Sequence, residues 1–240
     1  MSGAAAKGPD GRGASRKKIP RAEREALMIE SATLIFAERG FRAANMDQIA
    51  EGAGVTKRML YAYFDSKEAL LAACIERAAA PLTEEFERAI DRDLPADQQL
   101  WQGILAYFGW FEDQREWGTR IHFEAAWTAG RPREAVERIR GRVVALVAGM
   151  ITEQAEKTLP KVQVELVATQ AEPIARAFVG AAEELTLWWL EHPEQPRELV
   201  AMRLMNFAWQ GFNQLSKAEF WLPPSGHLGW LREEGEGGDD

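Results

Sequence analysis

The residues best suited to contact a polyanion lie just after Gly54. Leu60 and Phe64 are four positions apart, so on a helix they share one face that can be buried. The other side of this helix can carry polar side chains, which belong to Thr56, Lys57, Arg58, Tyr61 and Tyr63. Such groups donate hydrogen bonds to phosphates and base edges when a helix enters the major groove of DNA. The alternative is an ordinary solvated helix face, because charged helix surfaces are common.

A short helix, a turn and a second helix are predicted around these residues. Asn45 can cap the first helix, with Gln48 at the position of a capping-box partner. Gly52 and Gly54 permit the backbone angles of a tight turn between helices. Thr56 can then cap the second helix. The spacing therefore predicts a helix-turn-helix that begins at Asn45.

Further helices are predicted on both sides of this motif. Apolar residues recur at helical spacing between residues 28 and 36, and Gly40 stands where such a helix would end. Downstream, Asp65 or Ser66 can start another helix. Lys67 falls in its first turn, beside amides that favour an anion. The sequence thus predicts one further helix on each side of the motif and a phosphate near Lys67.

Residues from about Arg24 to Glu76 resemble the N-terminal domain of the tetracycline-repressor (TetR/AcrR) family of transcription regulators. The matching residues are Ala32, Phe36, Gly40-Phe41, Ile49-Ala50, Ala53-Gly54-Val55, Leu60-Tyr61, Tyr63-Phe64, Ser66-Lys67-Glu68 and Leu70. Met46 and the bulky pair Arg58-Met59 depart from the family pattern. The base sequence that is read therefore cannot be transferred from a relative.

The resemblance implies an all-α fold with an N-terminal three-helix DNA-binding domain and a C-terminal helical domain for ligand binding and dimerisation. It implies a homodimer on palindromic double-stranded operator DNA, and a small ligand that weakens this binding. Carried over by position, it implies DNA contacts for Thr56, Lys57, Arg58, Tyr61 and Lys67. It also places Asn45, as a helix cap, near a phosphate.

Four regions are predicted along the chain. Residues 1–20 form a disordered basic arm, 21–70 the helix-turn-helix domain, 71–222 the ligand-binding and dimerisation domain, and 223–240 a solvated acidic tail. The arm either adds phosphate or minor-groove contacts or is only a tail.

Charge is distributed unevenly between these regions. The whole chain has a formal net charge of −8 and a pI of about 5.2. Residues 1–77 nevertheless contain 13 Lys and Arg against 10 Asp and Glu, whereas the rest contains 16 against 27. Since local potential governs polyanion binding, the acidic total does not exclude DNA.

The chain beyond Lys67 shows helical spacing throughout. A helix from about residue 67 is either kinked or divided by Pro81. Others are predicted at 97–113, at 117–127, and from the turn at 130–132 to about 157. Residues 161–169 form either a short helix or an extended connection. Pro173 is predicted to open the next helix, which ends near Glu191, and Pro196 to open the last.

All nine tryptophans lie beyond residue 100, which predicts an aromatic-lined cavity. The helix at 97–113 has an apolar stripe, with Tyr107 and Trp110 at its margins. The predicted ligand-binding residues are Trp101, Phe108, Phe111, His122, Phe123 and Trp127. Such a cavity suits a small hydrophobic or lipophilic cationic effector. The alternative is that these rings only pack the core.

The last two helices carry more apolar surface than one face requires. Neighbouring Trp188 and Trp189 point about 100° apart on a helix, so a single core cannot easily cover both. This predicts a four-helix bundle with a second copy of the chain. The predicted interface residues are Phe178, Leu185, Trp189, Met202, Trp209 and Phe212. The alternative is that one tryptophan lies under the flanking loop.

Other classes of function find little support in the sequence. The single Cys74 excludes an intramolecular disulfide and is predicted to be core. The three histidines have no metal-binding spacing, and no phosphate loop or nucleophile elbow occurs. We therefore expect no enzyme activity, catalytic residue, metal site or cofactor. No apolar stretch approaches the length of a membrane span, so a cytoplasmic protein is expected.

Together these patterns predict a sequence-specific DNA-binding transcriptional regulator, most simply a homodimeric repressor of palindromic operators that a small hydrophobic ligand releases. The alternative is a ligand-binding or architectural DNA-bound protein of the same fold without promoter control.

Overall fold

A computed structural model describes residues 19–113, 128–215 and Lys217, and every regular element in these ranges is an α-helix. The helices are α1 (Arg21–Ala43), α2 (Met46–Gly52), α3 (Lys57–Tyr63), α4 (Lys67–Ala89), α5 (Ala96–Asp113), α6 (Arg131–Thr158), α7 (Lys161–Glu191) and α8 (Arg197–Leu215). The predicted all-α fold is confirmed. The helix predicted at 117–127, the acidic tail and nearly all of the basic arm lie outside the described residues.

The first hydrophobic cluster, which we call the head core, joins α1, α2, α3 and the first half of α4. Its fully buried side chains include Met28, Phe36, Ile49, Leu60 and Leu70. The start of α6 also belongs to it, through Ala135, Val136 and Ile139. The helix-turn-helix is thus packed from behind by three longer helices.

Three side-chain caps define the start of α2, α3 and α4. Asn45 Oδ1 accepts from the Asp47 amide at 2.9 Å, Thr56 Oγ1 from Met59 at 3.2 Å, and Ser66 Oγ from Ala69 at 3.0 Å. Each cap satisfies an amide that the helix itself cannot. The predicted capping box is absent, because Gln48 Oε1 is buried without a partner among the described residues.

Two glycines act in the helix-turn-helix for different reasons. Gly54 has φ of 65°, a conformation that a side chain would strain, so it makes the turn as predicted. Gly52 is helical, and its importance comes from packing instead. A Cβ there would lie 2.5 Å from Ser31 Oγ, which donates to the Ile49 carbonyl at 2.9 Å. Gly52 therefore allows α1 to approach α2.

The second cluster, which we call the body core, joins the second half of α4 with α5, α6, α7 and α8. In α5, Tyr107 and Trp110 are buried rather than marginal, so the predicted stripe was centred on the wrong residues. Half-buried Trp101 and Leu105 occupy the margins instead. The reason is that α5 packs against both α4 and α8, which buries more than one face.

Two prolines lie inside helices: Pro173, which was predicted to open a helix, and Pro81, which was predicted either to kink or to divide one. Pro173 is interior to α7, which begins at Lys161, so the uncertain segment 161–169 is helical. Pro81 is interior to α4. Both helices continue because packing on either side of the proline outweighs the lost hydrogen bond. Pro132 lies in the first turn of α6, where proline is tolerated.

Helix α4 crosses the predicted domain boundary at residue 70. Its side chains from Leu70 to Ile75 and that of Ala79 belong to the head core, whereas Ala78 packs against the body core, to which Leu82 and Phe86 belong. The division into 21–70 and 71–222 remains a prediction, but the packing changes about ten residues later than the sequence suggested. Among the described helices, none is long and apolar enough to cross a bilayer.

Candidate functional site

Helix α3 presents four polar side chains on one exposed surface, which we call the α3 ridge: Thr56, Lys57, Arg58 and Tyr61. The anchors behind them are buried, with Leu60 0% and Phe64 6% exposed. Tyr61 by contrast is 44% exposed. A helix with this division can lie against a duplex without giving up contacts to its own core.

Lys57 is paired within the protein. Its Nζ donates to Asp47 Oδ2 of α2 at 2.9 Å, and both side chains are exposed. The hydrogen bond to Asp47, and then its charge, raise the pKa of Lys57. Water screens an exposed pair of this kind strongly, so a phosphate can replace the carboxylate.

Tyr63 faces α1 rather than the ridge. Its hydroxyl accepts from Arg24 at 3.3 Å, and the guanidinium of Arg21 lies 5.2 Å from its ring centre. Half of its surface is thereby covered. Its predicted DNA contact is untested, and its position places it at the edge of the surface that α3 presents.

Lys67 closes the end of α1. Its Nζ donates to the carbonyls of Phe41 at 2.8 Å, Ala44 at 3.1 Å and Arg42 at 3.3 Å, and lies 4.6 Å from the Phe41 ring centre. An ammonium has three protons, so these carbonyls use its full donor capacity. A phosphate near Lys67 would compete with them, which makes Lys67 foremost a positioning residue.

Two residues near the ridge were not singled out by sequence reasoning. Asp47 holds Lys57, although ten positions separate them. Met59 is exposed beside the ridge, where a thioether can contact a thymine methyl group. The helical spacing of Met59 relative to Leu60 could have indicated its exposure, but only tertiary structure brings Asp47 to Lys57.

A cavity in the body opens between α5, α6 and α8. This outer chamber has a cavity volume of about 40 Å³. Its walls are apolar and include Leu100, Val147, Trp209 and Phe212. Polar side chains line it too: Gln99, Glu153, Gln154 and Lys157. The buried Gln99 amide is already used, donating to the carbonyls of Leu94 at 2.7 Å and Arg92 at 3.2 Å.

A second, inner chamber, with a cavity volume of about 20 Å³, lies behind the first and shares Leu100, Val147 and Met150 with it. It is almost wholly apolar, and Phe86 and Phe178 form part of its wall. The shared residues make the two chambers neighbours, and we call the pair the effector channel.

The only hydroxyl among the residues that line the inner chamber belongs to Tyr107. It is 3.5 Å from Thr186 Oγ1, which itself donates to the Ala182 carbonyl at 2.8 Å. Burial raises the pKa of Tyr107 well above its ordinary value, so the phenol is neutral. The inner chamber therefore favours an apolar group.

The predicted ligand-binding residues that the structure describes, Trp101, Phe108 and Phe111, do not line the effector channel. Phe108 and Phe111 are buried in ring packing, with Phe108 5.7 Å from Trp189 and Phe111 4.9 Å from Tyr107 between ring centres. Trp101 is half-buried against the body core. His122, Phe123 and Trp127 lie outside the described residues. The aromatic count pointed to the right region of the body, but the largest rings pack it.

The outer surface of α7 and α8 carries exposed apolar side chains. Phe207 is 72% exposed, and it lines a shallow groove with Leu185 and Trp188. Arg203 lies over the Trp188 ring at 5.1 Å. Exposed Met202 belongs to the same helix. We call this the α7–α8 groove.

Two predicted interface residues are wrong because they point inward. Trp189 is 1% exposed, and its Nε1 donates to the Gln195 carbonyl at 2.8 Å. Phe178 is buried beside Phe212, with 5.1 Å between ring centres. Trp209 and Phe212 are half-buried and line the effector channel. The adjacent tryptophans do diverge, but the outward one is Trp188, since Trp189 faces α5.

Two family models match the chain in the regions that hold these features. Residues 28–74 match the model described as bacterial regulatory proteins, tetR family. Residues 96–211 match the model described as tetracyclin repressor-like, C-terminal domain. The first contains the α3 ridge and the second contains α5 through most of α8, with most of the residues that line the effector channel.

Relatives and solved structures agree with this assignment. The HTH-type transcriptional activator FasR of Mycolicibacterium smegmatis is 28% identical over 216 residues, covering 87% of this chain and 92% of that protein. A TetR-like regulator from Rhodococcus sp. RHA1 is 29% identical, with a TM-score of 0.60 over 82% of this chain and 99% of that one. FadR from Bacillus subtilis, solved in complex with stearoyl-CoA, shares the fold at 18% identity, with a TM-score of 0.54 over 80% and 98%. The chain belongs to the TetR family of transcriptional regulators.

Proposed function

We propose that this regulator acts as a homodimer that binds a palindromic operator through the α3 ridge and leaves it when a small hydrophobic ligand enters the effector channel. The observation that carries the proposal is the exposure of Thr56, Lys57, Arg58 and Tyr61 in front of buried Leu60 and Phe64. Thr56 also caps α3 and Lys57 also pairs with Asp47, but all four side chains are exposed.

The chemistry of the ridge supports major-groove binding. Arg58 can donate two parallel hydrogen bonds to a guanine edge, while Lys57 and Thr56 can donate to phosphates. In a two-fold dimer the two α3 helices would reach half-sites about 34–36 Å apart, or a multiple of one helical turn. Lys67 supports this arrangement indirectly by holding the end of α1.

The α7–α8 groove supports the dimer. Phe207, Met202 and Trp188 are exposed or partly exposed apolar side chains on two adjacent antiparallel helices. A two-fold axis through such a pair buries the same patch on both copies and makes a four-helix bundle.

The effector channel supports a ligand with an extended apolar part and a polar end. The inner chamber would take the apolar part, and Gln154 and Lys157 of the outer chamber would meet the polar end. None of the described residues around the inner chamber is acidic, so nothing there favours a cation. A relative in fold was solved with stearoyl-CoA, whose acyl chain has this shape.

Repression is the simplest consequence of operator binding, because a bound dimer excludes polymerase. The similarity to FasR, which is named an activator, favours activation as the second candidate. Transcription in vitro from a promoter that holds the footprint separates the two. Added protein lowers the transcript from a repressed promoter and raises it from an activated one, and an architectural DNA-bound protein changes neither.

The DNA-binding test compares two sets of charge-removing substitutions. Operator fragments are identified by footprinting the DNA that flanks the gene. We expect Lys57→Ala/Arg58→Ala to weaken binding at least about 100-fold, since base and phosphate contacts contribute roughly 1–3 kcal/mol each. The control Arg142→Ala/Lys161→Ala removes the same charge from exposed sites of the body and should leave affinity nearly unchanged. Equal losses of operator affinity in the two double variants would mean that Lys57 and Arg58 act only through the overall charge of the protein and not through direct contacts with DNA.

The effector test uses the inner chamber. Stearoyl-CoA and a lipophilic cation are titrated against the protein–operator complex. Ala182→Leu narrows the inner chamber, so the ligand that releases the parent protein should release this variant only at higher concentration. Ala168→Leu makes the same change at an exposed position of α7 and should respond like the parent. A ligand that releases both variants alike binds elsewhere.

A further inference from the structure

The start of α6 lies beside the end of the α3 ridge. A groove of about 540 Å³ separates the end of α3 from the first turns of α6. Tyr61, the last residue of the ridge, and Arg131, the first residue of α6, both line it. A residue far from the helix-turn-helix in sequence therefore brings a positive charge to the ridge.

Arg131 is held at this position by one carboxylate. Its two terminal nitrogens donate to the two oxygens of Asp65 at 2.6 and 3.0 Å. Asp65 belongs to the turn between α3 and α4, two residues before Lys67. A guanidinium binds a carboxylate and a phosphate with the same parallel geometry. The nitrogens that hold Asp65 can therefore hold a phosphate of DNA instead.

The pair formed by Arg131 and Asp65 is open to such an exchange. The Arg131 side chain is 57% exposed and that of Asp65 is 65% exposed. Water and salt screen an exposed ion pair, so little free energy opposes the replacement of one anion by another. DNA that approaches the ridge can thus displace the carboxylate.

The beginning of the ridge shows the same arrangement. Lys57, the first residue of α3, is held by Asp47 at 2.9 Å, and this pair is also exposed. Each end of the ridge thus has a cation that a carboxylate positions in the free protein. The difference is that Lys57 belongs to α3 itself, whereas Arg131 comes from α6.

Other arginines surround the end of α3. Arg24 donates to the Tyr63 hydroxyl at 3.3 Å, and the guanidinium of Arg21 lies 5.2 Å from the centre of that ring. Tyr63 lines the same groove as Arg131. The phosphates that flank a reading helix are attracted by positive charge of this kind.

The far part of the groove differs from the part next to Tyr61. Arg138 lies seven residues beyond Arg131, about 10 Å further along α6, and pairs with Glu76 of α4. Glu134 lies between the two arginines and lines the groove as well. Two acids accompany Arg138 there, so of the two arginines that line the groove Arg131 is the one suited to a phosphate.

We infer that Arg131 belongs to the DNA-binding surface: it binds a phosphate beside the Tyr61 end of the ridge, and Asp65 positions it until DNA displaces the carboxylate. The role of Arg131 rests on the proposed function, because it requires an operator bound to the α3 ridge. It extends the DNA-binding surface to a residue outside 28–74, the range of the N-terminal family match.

The test measures operator affinity at several salt concentrations. Arg131→Ala should weaken binding roughly tenfold, since it removes a charged hydrogen-bond donor. The slope of log affinity against log salt should fall by about 1, the contribution of one phosphate contact. Arg131→Lys should keep the slope but recover only part of the affinity, because an ammonium lacks the two parallel donors.

Asp65→Asn separates a phosphate contact from mere neutralisation of Asp65. It removes the competing carboxylate, so it should strengthen binding by up to about fivefold. If Arg131 binds a phosphate, adding Arg131→Ala to Asp65→Asn should again cost roughly tenfold and lower the slope by about 1.

Two single substitutions in α6 serve as controls. Arg133→Ala removes the same charge two residues away at an exposed position, and Arg138→Ala breaks the other salt bridge between α6 and α4. Both should leave the salt slope nearly as in the parent. Melting temperatures of all variants show that the head stays folded.

Two results would overturn the role of Arg131. One is a loss on Arg131→Ala in the Asp65→Asn background no larger than that on Arg133→Ala, and the other is an equal fall in slope for Arg138→Ala. If Lys57→Ala/Arg58→Ala abolishes binding while the Arg131 variants behave like the controls, the proposed function stands and the role of Arg131 fails. If Lys57→Ala/Arg58→Ala keeps the parent affinity, the proposed function fails and the role of Arg131 fails with it.

Discussion

The head and the body carry their functional surfaces in opposite ways. In the head, the α3 ridge faces outward from one short helix whose anchors, Leu60 and Phe64, are its near neighbours in sequence. In the body, the effector channel faces inward and takes its walls from four or five helices. A surface made by one helix can be altered one residue at a time, whereas a channel made by several helices changes when any of them moves.

The largest expected effect comes from removing the buried side chain of Leu60, which anchors α3 in the head core. Leu60→Ala removes a fully buried side chain and should cost about 2–5 kcal/mol of stability. Operator binding should be lost with the ridge, while the body keeps its dimer. Met59→Ala is the control for stability only, since Met59 is exposed in the same helix but lies beside the ridge that would contact DNA. Thermal unfolding and band-shift assays measure both, and equal stability of the two variants would contradict the anchor role.

The next effect tests the outer face of the body. Phe207→Glu puts a charge where two copies would meet. Each copy should then lose at least about 2 kcal/mol of the free energy of dimerisation, so the dimer should dissociate at micromolar concentration. Sedimentation velocity gives the mass. Val162→Glu introduces the same charge at a side chain that is 80% exposed near the other end of α7. Dissociation by Val162→Glu but not Phe207→Glu would move the interface away from the α7–α8 groove.

A smaller effect sharpens how the head holds α2. Gly52→Ala brings a methyl group within 2.5 Å of Ser31 Oγ and should destabilise the head by roughly 1–3 kcal/mol. Ser31→Ala alone loses one hydrogen bond, about 1 kcal/mol. The double variant should cost less than the sum, because Ser31→Ala removes the atom that Gly52→Ala would strike. If the losses of stability measured by urea denaturation are additive, contact with Ser31 is not the reason that residue 52 is a glycine.

The smallest expected effect is a change in how the stability of the body depends on pH. Burial raises the pKa of Glu183, although Arg140 opposes the shift. Because the folded state then holds this proton to higher pH than the unfolded state, stability falls as the pH rises from the ordinary value of 4.5 through the raised value. Glu183→Gln should flatten that fall, and Glu184→Gln, at an exposed neighbour, should not. Urea midpoints between pH 4 and pH 7 provide the comparison, and parallel curves for both variants would contradict it.

Sequence reasoning reached most of the fold because local signals decide helices. Caps at Asn45, Thr56 and Ser66 and apolar spacing at intervals of three and four marked the start and face of α2, α3 and α4. It misplaced the role of Pro173 and left Pro81 open, since proline disfavours a helix locally. Packing along the whole of α4 and α7 supplies the energy that the local signal cannot include.

The two parts of the candidate site also differ in how well the sequence predicted them. The exposure of Lys57, Arg58 and Tyr61 followed from their spacing relative to Leu60, which is a property of one helix. The channel did not follow from the aromatic residues, because Phe108, Phe111 and Trp189 fill space rather than enclose it. Smaller residues such as Val147, Ala182 and Gly103 leave the room that becomes the inner chamber.

The amino-acid sequence by itself determined that this chain is helical, where its reading helix begins, and which side chains of that helix face outward. Those properties depend on residues within one or two turns of each other. Only the tertiary structure decided that Trp188 rather than Trp189 faces outward and that Lys67 binds carbonyls of α1. Each of these depends on contacts between residues far apart in sequence, whose partners no local pattern specifies.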